Sequence, residues 1–460
     1  MRISSLGPIG MSKPTGRKLS RRILGGALVA GVVLGLGAAP ALAQKKAKEP
    51  KAAKGAKGQP ATKFSKEFSV AAQPLQISLE AARVARAKVE AKDPVGPAEL
   101  ATALAAAKPQ MALAEAAIMN ADDRLVAGQF QINLGGYLND IPMRQRGAKN
   151  MLDSAKLEPT KVAEFQYYLG NFAYANKDYP TAQTALAAAI AAGHPQDDTA
   201  ELLADSYAKA NNPKGGLDAL RKAVDARIAA GKPIPASWLK RANTIAYNNK
   251  LGPEAIDWAI LQVKVQPSNF NWLGSAQLVR QFSGFGPQET LDLFRLMLRS
   301  GALDNEAKFV SNEYKEYIEA ADPRRLPGEV VKVIDKGTAA GALSGGWVTE
   351  ARATANGRIA ADKASLGGQA NTARDGNGVA AVADAYLNYG DAAKAEELYA
   401  AALAKGATDK DRVLTRLGIA QVDQGKWAAA RDSFSKVAGT RNNLARLWLI
   451  YVAQKSGGAA

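Results

Sequence analysis

The stretch 165-FQYYLGNFAYANKDYPTAQTALAAAIAAGHP-195 decides the fold. Two helical runs flank a Lys-Asp-Tyr break, and small residues stand at fixed places in both. The chain that follows repeats the arrangement. Leu169, Gly170, Ala182, Leu186 and Ala189 recur as Leu203, Ala204, Gly216, Leu220 and Ala223, each 34 residues later, and Asp178 at the break becomes Asn212. Small side chains at those places let two helix backbones approach closely. A helical hairpin of this size cannot bury its apolar face alone, so self-similarity at this period predicts a stacked array.

The last part of the chain carries clearer copies. In 379-VAAVADAYLNYGDAAKAEELYAAALAKG-406, Tyr386, the Gly390-Asp391 turn, Ala395, Tyr399 and Ala402 follow one pattern. In 414-LTRLGIAQVDQGKWAAARDSFSKVAG-439 the same places hold Leu417, Gly418, Gly425, Trp427, Ala430 and Phe434. The set resembles the tetratricopeptide repeat family, whose pattern is W-x2-L-G-x2-Y, then A-x3-F and a closing proline. The resemblance covers roughly residues 120 to 455. It implies an all-α, right-handed superhelical solenoid of helix-turn-helix repeats, and a binding role rather than a catalytic one.

Between the clear copies the pattern thins. Gly252 and Pro253 start a second helix in 237-SWLKRANTIAYNNKLGPEAIDWAILQVKVQP-267, Gly286 and Pro287 repeat that start 34 residues on, and Pro327 does so again. Proline suits a first turn, where its missing N–H has no helical partner anyway. Residues 65–121 read as an N-terminal helical segment and 122–336 as the array. The Gly-, Ala- and Thr-rich stretch 337–378 reads as a degenerate repeat or a hinge, and 379–460 as the C-terminal repeats with a capping helix over 442–458. No segment alternates with period two for long enough to argue a sheet.

The formal charge of +17 is unevenly placed: residues 1–64 carry +12 and the other 396 only +5. A nearly neutral body argues against a nucleic-acid-binding surface. Residues 1–43 read as a signal peptide, with Lys13, Arg17, Lys18, Arg21 and Arg22 before an apolar run and Ala41-Leu42-Ala43 at the exit. The alternative is an uncleaved inner-membrane anchor. Either way the expected location is periplasmic, or otherwise exported, in the envelope of a Gram-negative bacterium. Residues 44–64 are a Lys/Ala-rich linker with nothing to bury, expected to be disordered, and either a spacer or a weak contact for anionic membrane or envelope polymer. The chain has no cysteine, so no disulfide or lipoprotein anchor forms.

Reactive groups are few. His194 is the one histidine and sits in a loop, so paired-histidine zinc sites and thiol enzymes are excluded. Ser206/Lys209, Ser237/Lys240 and Ser433/Lys436 match Ser-x-x-Lys, but the companion SDN and KTG elements are missing. No phosphate loop is present. The expectation is a non-enzymatic chain with no cofactor and no metal.

In the family that the sequence resembles, exposed positions of each first helix line a groove. In register these are Tyr167, Asn171 and Tyr174, then Glu201, Asp205 and Lys209, then Lys240, Thr244, Tyr247 and Asn248. Aromatic and amide groups with both charge signs suit a protein or peptide ligand. Tyr167 and Tyr174 fit equally well as packing between helices. An accessory subunit of an envelope enzyme or secretion complex remains an alternative role.

Overall fold

The structure is a computed structural model that describes residues 63–195 and 197–457. The expected signal peptide 1–43, and the linker as far as residue 62, lie outside the described residues. Among the described residues the regular elements are helices, and none is long and apolar enough to cross a membrane. The chain forms two compact units that divide between Ala223 and Val224.

The first unit is built from consecutive helices: α1 (Lys66–Glu90), α2 (Gly96–Ala116), α3 (Ala121–Leu138), α4 (Ile141–Asp153), α5 (Pro159–Ala175), α6 (Tyr179–Ala191) and α7 (Asp198–Lys209). The division falls within α8 (Pro213–Ala229). Each helix packs on the next, with additional contacts only of α1 with α3 and α5 with α7 among the larger ones. The apolar side chains accordingly form local clusters in succession. One gathers Phe68, Leu75, Met111 and Leu134, the next Ile132, Phe165 and Phe172, and another Tyr167, Leu186 and Leu203. The small residues of the sequence pattern have the expected cause. A Cβ on Gly170 would stand 2.5 Å from Leu186 of the paired helix, so nothing larger fits without displacing it.

Lys63 and Phe64, expected in the linker, are already held. The Lys63 backbone N–H donates to Asp122, and Phe64 packs on the first cluster. Asp123, fully buried, accepts from the Ser65 N–H at 3.0 Å, the Ser65 hydroxyl at 2.8 Å and the Met119 N–H at 3.1 Å. One carboxylate thus ties the start of α1 to the start of α3.

The second unit runs through α9 (Ala236–Asn248), α10 (Gly252–Val265), α11 (Asn269–Ser283), α12 (Pro287–Ser300), α13 (Ala307–Ala321), α14 (Pro327–Ala339), α15 (Gly346–Thr372), α16 (Gly376–Tyr389), α17 (Ala392–Ala404), α18 (Lys410–Asp423), α19 (Trp427–Ser435) and α20 (Asn442–Lys455). The expected degenerate repeat or hinge is for most of its length the single long helix α15, which packs on α14 and α16. The terminal helix caps α19 and also returns to the beginning of the unit, against α10, α11 and α12. Its Trp448 is fully buried and stacks on Phe434 with centroids 5.3 Å apart. One continuous apolar cluster therefore spans Ile256 to Val452.

Helix α12 is enclosed on all sides, with Leu291 to Met297 buried without interruption. Two charged residues lie in that run. Asp292 meets Arg295 at 2.8 Å, Arg416 of α18 at 3.1 Å and Arg441, just before α20, at 2.6 Å. Arg295 also forks onto Glu329 of α14 at 2.8 and 2.6 Å, and the Tyr317 hydroxyl donates to the same carboxylate. Arg416 reaches Asp384 of α16 at 2.6 Å. Burial alone would raise the Asp292 pKa, but the three guanidiniums outweigh it and hold the carboxyl well below its usual range. Glu329 is lowered in the same way, burial being overcome by Arg295.

Candidate functional site

The ten groove residues read from the sequence fall in both units, and the structure treats them differently. Of the two readings of Tyr167, groove lining or packing between helices, the structure shows packing and removes it from the groove. It is 2% exposed, its hydroxyl donates to Asp198 at 3.1 Å, and its ring stacks on His194 at 4.4 Å. Burial, with the Asp198 carboxylate adding to it, pushes its hydroxyl pKa well up. His194, in the loop after α6, is held by that stacking and by Thr199, and burial lowers its pKa. Asn171 donates weakly to the Tyr167 oxygen at 3.4 Å. The Tyr174 hydroxyl donates to Asp205, so these two serve to join α5 to α7. Glu201 is half-buried with Oε1 lacking a hydrogen bond among the described residues, and Lys209 is exposed.

In the second unit, Thr244 bonds back to the Lys240 carbonyl of its own helix at 2.8 Å and Asn248 points to solvent. Lys240 and Tyr247 lie along one wall of a cleft of about 500 Å³, whose other walls are the first helices α11 and α13. The 34-residue register explains why. Lys240 is followed by Gly274 and Lys308, and Thr244 by Leu278 and Asn312, all of which except Thr244 line the cleft. Extending the register two repeats further reaches these residues from the sequence. Gln262 and Gln266, from a second helix and the turn after it, had no such signal, and Asn271 lies in the first turn of α11, outside the register places read as groove.

The cleft is lined by amides, which both donate and accept. Asn243 donates to Gln262, Gln262 to Asn271 at 3.0 Å, Asn271 to the Gln266 carbonyl at 2.7 Å, and Gln266 to the Ile234 carbonyl at 2.8 Å. Gln277 donates to Glu313, and Arg280 pairs with Glu316 at 2.6 Å. These bonds fix the lining before any ligand arrives. Asn243 Oδ1 is buried yet has no hydrogen bond among the described residues, a state that costs about 1–3 kcal/mol. At the lip, Phe270 is 55% exposed and lies edge-to-face with Phe309, over which Lys308 sits at 4.8 Å. Gly274 leaves open space where a side chain would stand.

The serines of the Ser-x-x-Lys matches are bonded elsewhere where hydrogen bonds are seen: Ser206 donates to the Leu203 carbonyl and Ser433 to Gln421.

No family model matches the chain, and no curated protein matches it. Among solved structures it is similar to one described as "Structure of Naa15/Naa10 bound to HypK-THB", at 17% identity with a TM-score of 0.33. That alignment covers 85% of this chain, which spans only 65% of the other's length.

Proposed function

We propose that this chain is a non-enzymatic scaffold of the tetratricopeptide-repeat type that binds an extended segment of a partner protein through the α9–α11–α13 cleft. The observation that carries the reading is the pre-bonded amide lining shared by α9, α10 and α11. An extended peptide presents N–H and C=O groups along its length, and fixed amides answer both without reorganising. Phe270 and Phe309 supply the apolar contact that a side chain of the ligand would cover. The signal-like sequence at residues 1–43 supports an exported, envelope location for this scaffold, and the scarcity of reactive groups supports a role without catalysis.

Gly274→Leu is the most telling variant. It fills open space in the cleft, and replacing a mid-helix glycine favours the helix by roughly 0.5–1 kcal/mol, so lost binding cannot be blamed on unfolding. The experiment is cross-linking and affinity capture from envelope extract with the wild type, Gly274→Leu and a control on the first unit, Lys209→Glu. The expected result is a discrete protein partner that Gly274→Leu loses and Lys209→Glu keeps. Equal capture by Gly274→Leu would remove the cleft from the account. Intact mass from the envelope fraction tests the location, with a mature chain beginning at Gln44 expected.

A further inference from the structure

The charged groups that line the α9–α11–α13 cleft differ in whether the fold already uses them. Its carboxylates are engaged. Glu313 is 5% exposed and accepts from Gln277, and Glu316 is paired with Arg280 at 2.6 Å. Its lysines are not. Lys240 is exposed, and its ammonium makes no hydrogen bond or ion pair among the described residues. Lys308 pairs with Glu306, two residues away, but both side chains stand mostly in solvent, so the pair contributes little and exchanges easily.

The place of these lysines on their helices sharpens the contrast. α9, α11 and α13 run the same way, each returned by a second helix, and residues of all three first turns line one edge of the cleft. A helix N-terminus carries partial positive charge, which a carboxylate in the first turn answers. The second helices α10, α12 and α14 each have one, at Glu254, Glu289 and Glu329. The first helices α9, α11 and α13 have none there. Glu306, just ahead of α13, makes no capping bond and turns to Lys308 instead. Lys308 is the second residue of α13 and Lys240 the fifth of α9, so both cations oppose the dipoles beside them.

We infer that the segment this cleft binds is acidic: an extended stretch with carboxylates for Lys240 and Lys308 and a large apolar side chain against Phe270 and Phe309. The inference rests on the reading of the cleft as a peptide groove and adds the chemistry of what enters it. Carboxylates laid across this edge answer two lysines and three helix ends without breaking a buried pair. A ligand cation would have to take Glu316 from Arg280 or uncover Glu313 from behind Gln277. Gly274, on the middle helix, leaves open space for the ligand to cross between the lysines.

Random segments of about twelve residues, displayed with fixed linkers at both ends so that no free terminus is offered, test this. They are selected on the full chain, on Gly274→Leu and on the double variant Lys240→Glu/Lys308→Glu. On the wild type, Asp and Glu should rise at least about threefold over the unselected library, beside an aromatic or aliphatic residue. Binding of the selected segments, read by fluorescence anisotropy, should weaken with salt and fall at least about tenfold on the double variant. That variant places acids near helix N-termini, so its thermal midpoint should hold or rise, and lost binding does not report unfolding. Segments without an acid excess that Gly274→Leu loses would overturn this inference and leave the groove reading standing. Acidic segments that the double variant binds equally well would do the same. No selected segment, or segments that Gly274→Leu keeps, would overturn both, as would a cleft filled instead by a second copy or by anionic phospholipid vesicles.

Discussion

The two units are made from the same helical hairpins, yet they hold together by different means. In the first, α1 to α7 touch almost only their neighbours, and hydrogen bonds seen among the described residues, such as Lys63 with Asp122 across 59 positions, reach a short way along the chain. In the second, α20 comes back to α10–α12, and hydrogen bonds join Gln454 to Val263 across 191 positions and Arg446 to Asp257 across 189. An array that only stacks behaves as a chain of nearest-neighbour couplings and can open piecemeal. Once its last helix packs back on α10–α12, the repeats between cannot leave without exposing those helices. The difference is between additive and shared stability.

Asp292 is where the shared kind is concentrated. Asp292→Ala leaves Arg295, Arg416 and Arg441 buried with their common partner gone, and breaking a buried pair in this way costs roughly 3–5 kcal/mol. All six tryptophans, Trp238 to Trp448, lie in the second unit, so their fluorescence reports on it alone. The urea midpoint read by fluorescence should fall sharply. A small shift would mean that the charge cluster does not hold the unit closed.

Acid should act on the same cluster. Asp292 and Glu329 have folded-state pKa values below their ordinary 3.8 and 4.5. Between the folded and unfolded values the unfolded chain binds the extra proton, so their stabilisation is complete above that ordinary range and is lost as pH falls through it toward the folded values. The fluorescence midpoint should be steady near neutrality and drop progressively below about pH 4.5. Loss of stability in the first unit at the same pH and to the same extent would erase the contrast.

Within the second unit α15 is the exception. Its main contacts are with α14 and α16, and from Gly357 to Thr372 few of its described residues are buried. Limited proteolysis should therefore nick residues 356–372 first, while α12 and α18 resist. Uniform resistance would show that α15 shares the closure of the rest.

The smallest effect belongs to the repeat turns, and it shows why the sequence was only partly legible. Five repeat turns place a left-handed backbone two residues before the second helix. The clear C-terminal copies put glycine there, at Gly390 and Gly425, whereas the central copies put Lys177, Asn211 and Lys250, all at positive φ. Composition hid a geometry that these turns share. Lys177→Gly removes a left-handed conformation costing about 1–2 kcal/mol, so it should stabilise by about 1 kcal/mol, read by circular dichroism of the first unit. No gain would mean that the lysine is held there by something other than the turn.

The stacked helices were legible because Gly170 and Gly418 each admit a partner helix, against Leu186 and Phe434. Lys240 and Tyr247 were legible as positions on a first helix, whereas Tyr167 was legible only as either groove or packing, and it is Asp198 and His194, covering it, that make it core. The return of α20 had no local signal. Asp292, Arg416 and Arg441 read as ordinary polar residues of separate repeats until the chain folds them together, 124 and 149 positions apart.

Native-state hydrogen exchange of the full chain tests that closure most directly. Amides in the centres of α10, α12, α18 and α20 should exchange through one common opening with a single free energy, despite their distance in sequence, while α1 to α7 show a spread of smaller values. Exchange of α20 well ahead of α12 would contradict the account, because a terminal helix that opens alone does not hold the unit together.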